Sequence, residues 1–482
     1  MRRFPALALV LVVFSCLWAQ TADLSRLGGA LLLSGNAYEY DRQLADGIGP
    51  RLTGSTNYGR AADWAVAQFT ALGLSSIARE PWNIPTTWEP AGPATAHMIA
   101  PREQTLHLIS EGWSPSTGPA GVRGQVFYLN DVRPEAVRAA AARIANTIVL
   151  VDEASLAPGF AQGEGTLYDG LRMVGEEGAR GIIFGVGASN DAANMFGDGG
   201  LTGTVANIPA GNLGLEDTLL IQRLLRAGPV EVEFSFQNRI RRNVAVDNVV
   251  AEIPGRDGTG DFVLIGAHLD SWQPGTGAQD DGTGVAAVVA IARAVRELGL
   301  KPRRSLRFVL FGGEEEGMLG SAQYARRHAA ELAHCAGVFI TDNGAVPPDG
   351  WYTLGRADDD QALATISPLL DGLGAGERSH EGRFAFSADD APFLVRGVPT
   401  FMLKAPMTSY LRIHHQPGDT FDKVNERDLN LGVAVVGVTA YAFADMPTRS
   451  RQLTLAEVAS ELKSLAIYGQ YKDLDAHHVF DE

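Results

Sequence analysis

Between Asn243 and Leu403 the chain alternates short, nearly continuous apolar runs with longer stretches whose apolar residues recur every three or four positions. The runs end at His268, Gly313, Asp342 and near Leu403, and helical spacing fills Val285 to Leu298 and Ser321 to Leu332. Runs apolar on both faces, alternating with helices, predict a mostly parallel α/β sheet covered by helices on both sides. Upstream, residues 35–75 read as helix, turn, helix, with Ala61 to Leu74 at helical spacing and Gly73 as the stop. Residues 80–120, rich in Pro, Trp and Gly, read as loops with short strands.

The texture changes over residues 121–236. Strand-like runs occur at Gln125 to Leu129, Thr147 to Val151, Arg180 to Gly185 and Val230 to Phe236, with helical stretches around Leu171 to Gly178 and Leu219 to Leu225. The segment carries no cluster of ligating residues and reads as an inserted domain. Residues 20–120 and 237–450 then form the main domain around it. Residues 451–482 hold one more amphipathic helix, at 452–465, and a polar tail with Tyr468, Tyr471 and Phe480.

Composition adds limits. A chain of 482 residues exceeds one ordinary core, while 45% hydrophobic and 20% charged residues are normal for a folded protein. A net charge of -16 repels nucleic acid and anionic lipid, which excludes both as partners. Arg2 and Arg3 precede an apolar run from Ala6 to Trp18, with small residues at Ala19 and Ala22. That layout predicts a signal peptide over residues 1–19 and a secreted or periplasmic protein. A competing reading takes Cys16 as a lipoprotein cleavage position, a pattern that Phe14 fits poorly. No other apolar stretch approaches the ~20 residues of a membrane span, so no integral span is expected. Cys16 and Cys335 are the two cysteines, so the processed chain has one thiol and no disulfide. Cys335, close to Val338-Phe339-Ile340, is expected to be packed and inert.

The chemistry gathers where the apolar runs stop. Phe262 to Ala267 leads into His268-Leu269-Asp270, and two side chains two apart on extended backbone share a face. Asp280-Asp281 stands in a glycine-rich loop that opens a helix, where an acidic pair attracts a cation and repels phosphate. Leu306 to Phe311 leads into Glu314-Glu315-Glu316, and Val338 to Ile340 into Asp342. His414-His415 follows the last run and precedes Asp419-Thr420. A lone strand-end Asp is most often a helix cap. Four such ends and the acidic loop, delivering His and carboxylates to one sheet edge, predict a metal site, because open α/β sheets bind ligands at that edge. Nitrogen and oxygen donors without cysteine suit zinc, with manganese or cobalt as alternatives.

In this order the residues resemble metallopeptidase family 28, the co-catalytic di-zinc aminopeptidases and carboxypeptidases. The likeness covers about residues 35–447, takes in the run Ile48 to Ser55, and implies a protease-associated domain over 121–236. It implies a phosphorylase/hydrolase-like zinc-exopeptidase sandwich with a mostly parallel mixed sheet. By that resemblance His268 and Asp342 hold one Zn2+, Glu315 and His415 a second, and Asp280 bridges the two. Gly317-Met318-Leu319-Gly320-Ser321 sets the register that makes Glu314 the general base and Glu315 the ligand. Asp270 orients His268, and a cis peptide is expected between Asp280 and Asp281. Two cations together acidify water and polarise a scissile carbonyl, with Glu314 moving the proton.

The implied reaction is exopeptidase cleavage of dipeptides or short peptides, of the carboxypeptidase or the aminopeptidase kind. The family likeness also suggests a homodimer. Asp389, in Ser387 to Phe393, falls where the family lines its specificity pocket and is a candidate to hold a substrate α-amino group. His414 is a candidate to touch substrate. An acyl transferase of the same fold would have an altered ligand set, and an inactive receptor-like ectodomain would have lost a ligand or Glu314; neither change is present. No Gly-x-Ser-x-Gly run exists to support a serine hydrolase. His477-His478 reads as a solvated pair, and Gly372 to Gly376 lacks the preceding strand of a dinucleotide site.

Overall fold

The computed structural model describes residues 21–186, 202–382 and 385–475. The expected signal peptide, Phe480 and the His477-His478 pair lie outside the described residues. One eight-stranded sheet runs in the order Ser75–Pro90, Asn238–Ile253, Ser305–Phe311, Phe262–His268, Cys335–Ile340, Thr400–Lys404, Gly350–Tyr352, Glu377–Ser379. Its four central strands, from Ser305–Phe311 to Thr400–Lys404, are mutually parallel, and the strands flanking them are antiparallel.

The central strands are continuous apolar runs because both faces are covered. Val263, Ile265, Leu306, Phe308, Leu310 and Phe339 enter one core with the helices Ala37–Ala45, Thr283–Glu297 and Glu426–Asp445. Their neighbours Phe262, Leu264, Val309, Phe311, Val338 and Ile340 enter a second core with Tyr324 of the helix Leu319–Arg327. Successive side chains point to opposite faces, so a strand buried on both must be apolar at every position. Cys335 lies in the second core, fully buried, its thiol pushed up to about 12 by burial. Among the described residues no helix is long and apolar enough to cross a membrane.

Two elements depart from expectation. The proline-rich segment after residue 75 is a 16-residue strand, Ser75–Pro90, containing Pro81, Pro85 and Pro90. It is an edge strand paired only with Asn238–Ile253, and an edge tolerates proline because one side needs no ladder donor. The helix Glu426–Asp445, apolar nearly all round, was not singled out by its periodicity because it is buried on most sides.

A second eight-stranded sheet, Thr95 to Ser235, grows from the far end of the edge ribbon, where Pro90 pairs with Asn238. The strands Thr95–Ala100, Gln104–Thr105 and Leu108–Ser110 belong to it. The second sheet therefore takes in residues from Thr95 onward, and the Pro, Trp and Gly content of this stretch masks its short strands in the sequence. A cluster of Leu52, Trp88, Trp113 and Trp272 packs where the second sheet meets the first.

Candidate active site

The parallel strands all deliver their carboxyl ends to one edge. The strand Phe262–His268 ends on His268, Ser305–Phe311 turns into Glu314 and Glu315, and Cys335–Ile340 is followed by Asp342. Asp280 comes from the loop ahead of the helix Thr283–Glu297. That loop needs glycine at 277, where φ is +60° and a Cβ would lie 2.1 Å from the Ser271 Cβ. His414 and His415 follow the short helix Tyr410–Arg412. The bond between Asp280 and Asp281 is cis.

Asp280 sits at the centre. His268 Nε2 lies 3.1 Å from its Oδ1 and 3.7 Å from Asp342 Oδ1. On the other side His415 Nε2 lies 3.5 Å from Asp280 Oδ2 and 2.9 Å from Glu315 Oε2. Among the described residues two ligating groups emerge, His268 with Asp280 and Glu315, and Asp280 with His414 and His415. His414 Nε2 is also 3.5 Å from Asp280 Oδ2, but it stacks on His415 at 3.7 Å and packs against the Tyr410 ring. Its side chain is about one third exposed, which leaves it open to a substrate.

These donors fit a cation. His268 Nε2, Asp280 Oδ2 and Glu315 Oε2 are buried and make no hydrogen bond, a cost of about 1–3 kcal/mol each if nothing else satisfies them. Burial and the surrounding carboxylates push Glu314 and Glu315 well above the usual carboxylate range. Burial opposes the His268 imidazolium, but Asp270, Asp280 and Asp342 outweigh it and raise its pKa well above the ordinary value. Burial lowers His415, keeping its ring neutral, the form that binds a metal. A positive ion among these groups would ionise the carboxyls and release the His268 proton.

Supporting contacts differ in part from expectation. His268 Nδ1 is 3.2 Å from the Asp270 backbone oxygen and 3.6 Å from its carboxylate, so the carbonyl is the nearer orienting group. The Asp270 carboxylate accepts instead from the Gly313 N–H at 3.1 Å, tying two strand ends together. Asp389 is fully buried and presents no surface to a substrate amine. Burial pushes it up to about 7, and its charge acts on Glu314. Asp389 sits just ahead of the buried helix Ala391–Leu394.

Several residues at the site carried no predicted role. The Trp272 N–H donates to Glu315 Oε1 at 3.0 Å, and the Tyr410 hydroxyl lies 3.3 Å from Asp342 Oδ1. Asp419 accepts from the Gln279 and Asp280 N–H groups at 2.7 and 3.1 Å, holding the central carboxylate from behind. Asp419 lay inside the run from His414 to Thr420, which was the one signal available for it.

The chain is 31% identical to carboxypeptidase Q of Rattus norvegicus over 414 residues, covering 85% of each. The chain belongs to peptidase family M28. A sequence model described as Peptidase family M28 matches residues 248–438, the stretch that carries every ligand candidate of this site. Among solved structures, a peptidase M28 precursor from Shewanella amazonensis SB2B is 29% identical and superposes with a TM-score of 0.78. It covers 90% of this chain and 99% of its own. The fold is also that of BSAP, a zinc aminopeptidase from Bacillus subtilis, at 19% identity and a TM-score of 0.65, covering 86% of this chain and 96% of that one. This M28 chain is accordingly a metallopeptidase with a mixed α/β architecture.

Proposed function

We propose that this M28 peptidase is a zinc exopeptidase that cleaves dipeptides or short peptides and binds two zinc ions per chain. One observation carries the reading: the two oxygens of Asp280 face two separate pairs, His268 with Asp342, and His415 with Glu315. One bidentate carboxylate between two His–carboxylate pairs is the donor set of a bridged two-metal site. When bound, the cations supply Lewis acidity to the scissile carbonyl and to water.

The remaining chemistry belongs to side chains. Glu314, close enough to the donor set for its charge to act on His268, accepts a proton from the attacking water in its ionised form. It then returns that proton to the leaving amine, so the peptide and one water become an acid and an amine. His414 is proposed to contact the substrate backbone, a reading supported by its side chain being about one third exposed beside Asp280. Carboxypeptidase Q among the relatives supports action on a C-terminal residue, while BSAP keeps the aminopeptidase reading in play.

The test combines zinc analysis with product analysis. Purified protein is expected to carry two zincs, to cleave free dipeptides, to lose activity to a chelator and to regain it with zinc. Cleavage of N-acylated but not C-amidated dipeptides would assign carboxypeptidase action, and the reverse would assign aminopeptidase action. Protein that takes up no zinc would overturn the reading.

The second sheet is read as a protease-associated domain that walls the site. Its Trp113 packs edge-on against Trp272 at 5.8 Å, and the Trp272 ring is 5.8 Å from that of His415. Trp113→Ala is expected to raise KM several-fold by loosening this wall. Unchanged KM and kcat would count against it.

A further inference from the structure

Arg51 lies in the loop ahead of the helix Thr56–Ala71, far from the ligands in sequence, and its side chain is fully buried. Its guanidinium donates to three backbone oxygens: Nε to Leu269 at 2.7 Å, Nη1 to Thr276 at 2.8 Å and Nη2 to Gly277 at 2.8 Å. The Arg51 N–H donates to Ser271 Oγ at 3.2 Å. Leu269 is the residue between His268 and Asp270, and Gly277 stands three residues before Asp280. One rigid planar fork thus grips both the strand end that presents His268 and the loop that presents Asp280.

We infer that Arg51 is a positioning residue that sets the separation of His268 and Asp280 and preforms the metal site before any cation arrives. The inference rests on the two-metal reading above. Arg51 touches neither donor atoms nor the cleft; it acts through three carbonyls. Only an arginine can do this, because its five donors lie in one plane with fixed angles, whereas a lysine is a point charge on a flexible stem. Burial lowers the Arg51 pKa, and the surrounding Asp41, Asp419, Asp281 and Asp270 offset part of that cost. Asp419 holds the same loop from the opposite side through the Gln279 and Asp280 amides, so the segment is fixed at both ends.

The experiment compares wild type with Arg51→Lys and Arg51→Met, each checked for cooperative unfolding. Zinc affinity is read by chelator competition, and ligand geometry by the visible spectrum of the cobalt-substituted protein. Loss of a supporting contact behind a metal ligand typically costs 10–100-fold in affinity. Both variants are expected to fall in that range with an altered cobalt spectrum, and lysine should not rescue despite keeping the charge. Folded variants with wild-type affinity and spectrum would overturn the inference and leave the metal site standing. Wild-type protein that binds no zinc would instead overturn the site itself. Should neither variant fold, hydrogen exchange on the wild type decides: the Arg51 Nε proton, which donates to the Leu269 carbonyl, should be equally protected with and without zinc. Rapid exchange of this proton in the metal-free protein would show that no preformed clamp exists.

Discussion

Glu314→Gln is expected to lower kcat by about 10²–10⁴-fold while zinc content stays at the native value. The substitution preserves size and shape but removes the group that can accept a proton. Glu314 is held by its backbone, since its carbonyl accepts from the N–H groups of Gly317 and Met318 at 2.8 and 3.0 Å. The amide should therefore occupy the same place, and the loss should report chemistry rather than misfolding. Glu314 is not one of the five proposed zinc ligands, so metal binding should be spared. Metal analysis and steady-state kinetics on the same preparation check both halves. A variant within about tenfold of native kcat would remove Glu314 from the role of base.

Asp280→Asn is expected to reduce bound zinc from two ions to at most one and to abolish detectable turnover. The amide keeps one acceptor oxygen and turns two N–H donors toward the other pair. Whichever pair meets the donors loses its shared anionic ligand and gains a group that repels a cation. The structure makes this site sensitive because His268 and His415 both approach Asp280, from opposite oxygens. Stoichiometry by metal analysis, with an unfolding curve to confirm a native fold, tests the point. Retention of two zincs would show that the carboxylate does not bridge.

The carboxypeptidase Q relatives and the M28 match bear on reaction class, and the geometry explains why so acidic a pocket can exist in a buried place. Asp270, Asp280, Glu314, Glu315, Glu316 and Asp342 crowd a single edge of the sheet. Burial and neighbouring carboxylates push Glu314, Glu315 and Glu316 toward their protonated forms, whereas burial of Asp270 and Asp280 is outweighed by His268, which holds them low. Cations relieve the same repulsion and leave the carboxylates ionised, so metal binding and the site's own stability are coupled.

The central strands were legible in the sequence because a strand buried on both faces must be apolar throughout, and the residue that breaks the run marks the functional edge. His268, Glu314, Glu315 and Asp342 were located by that rule alone, with roles supplied by family likeness. The loop carrying Asp280 and Asp281 was legible because glycines flank an acidic pair. The mostly parallel α/β sheet followed from the same alternation of strand and helix, and its peptidase character from the family resemblance. What the tertiary structure decided rests on partners distant along the chain. The Arg51 grip on residues 269–277, the Asp419 support of Asp280 and the Tyr410 contact to Asp342 join segments that no local period relates. The family resemblance singled out His415 of the two adjacent histidines, but its contact with Glu315 and the stacking of His414 on it are tertiary. Burial of Asp389 and the proline-bearing edge strand Ser75–Pro90 belong to the same class. Hydrophobic periodicity records which face of an element is covered, and it carries no record of which remote residue does the covering.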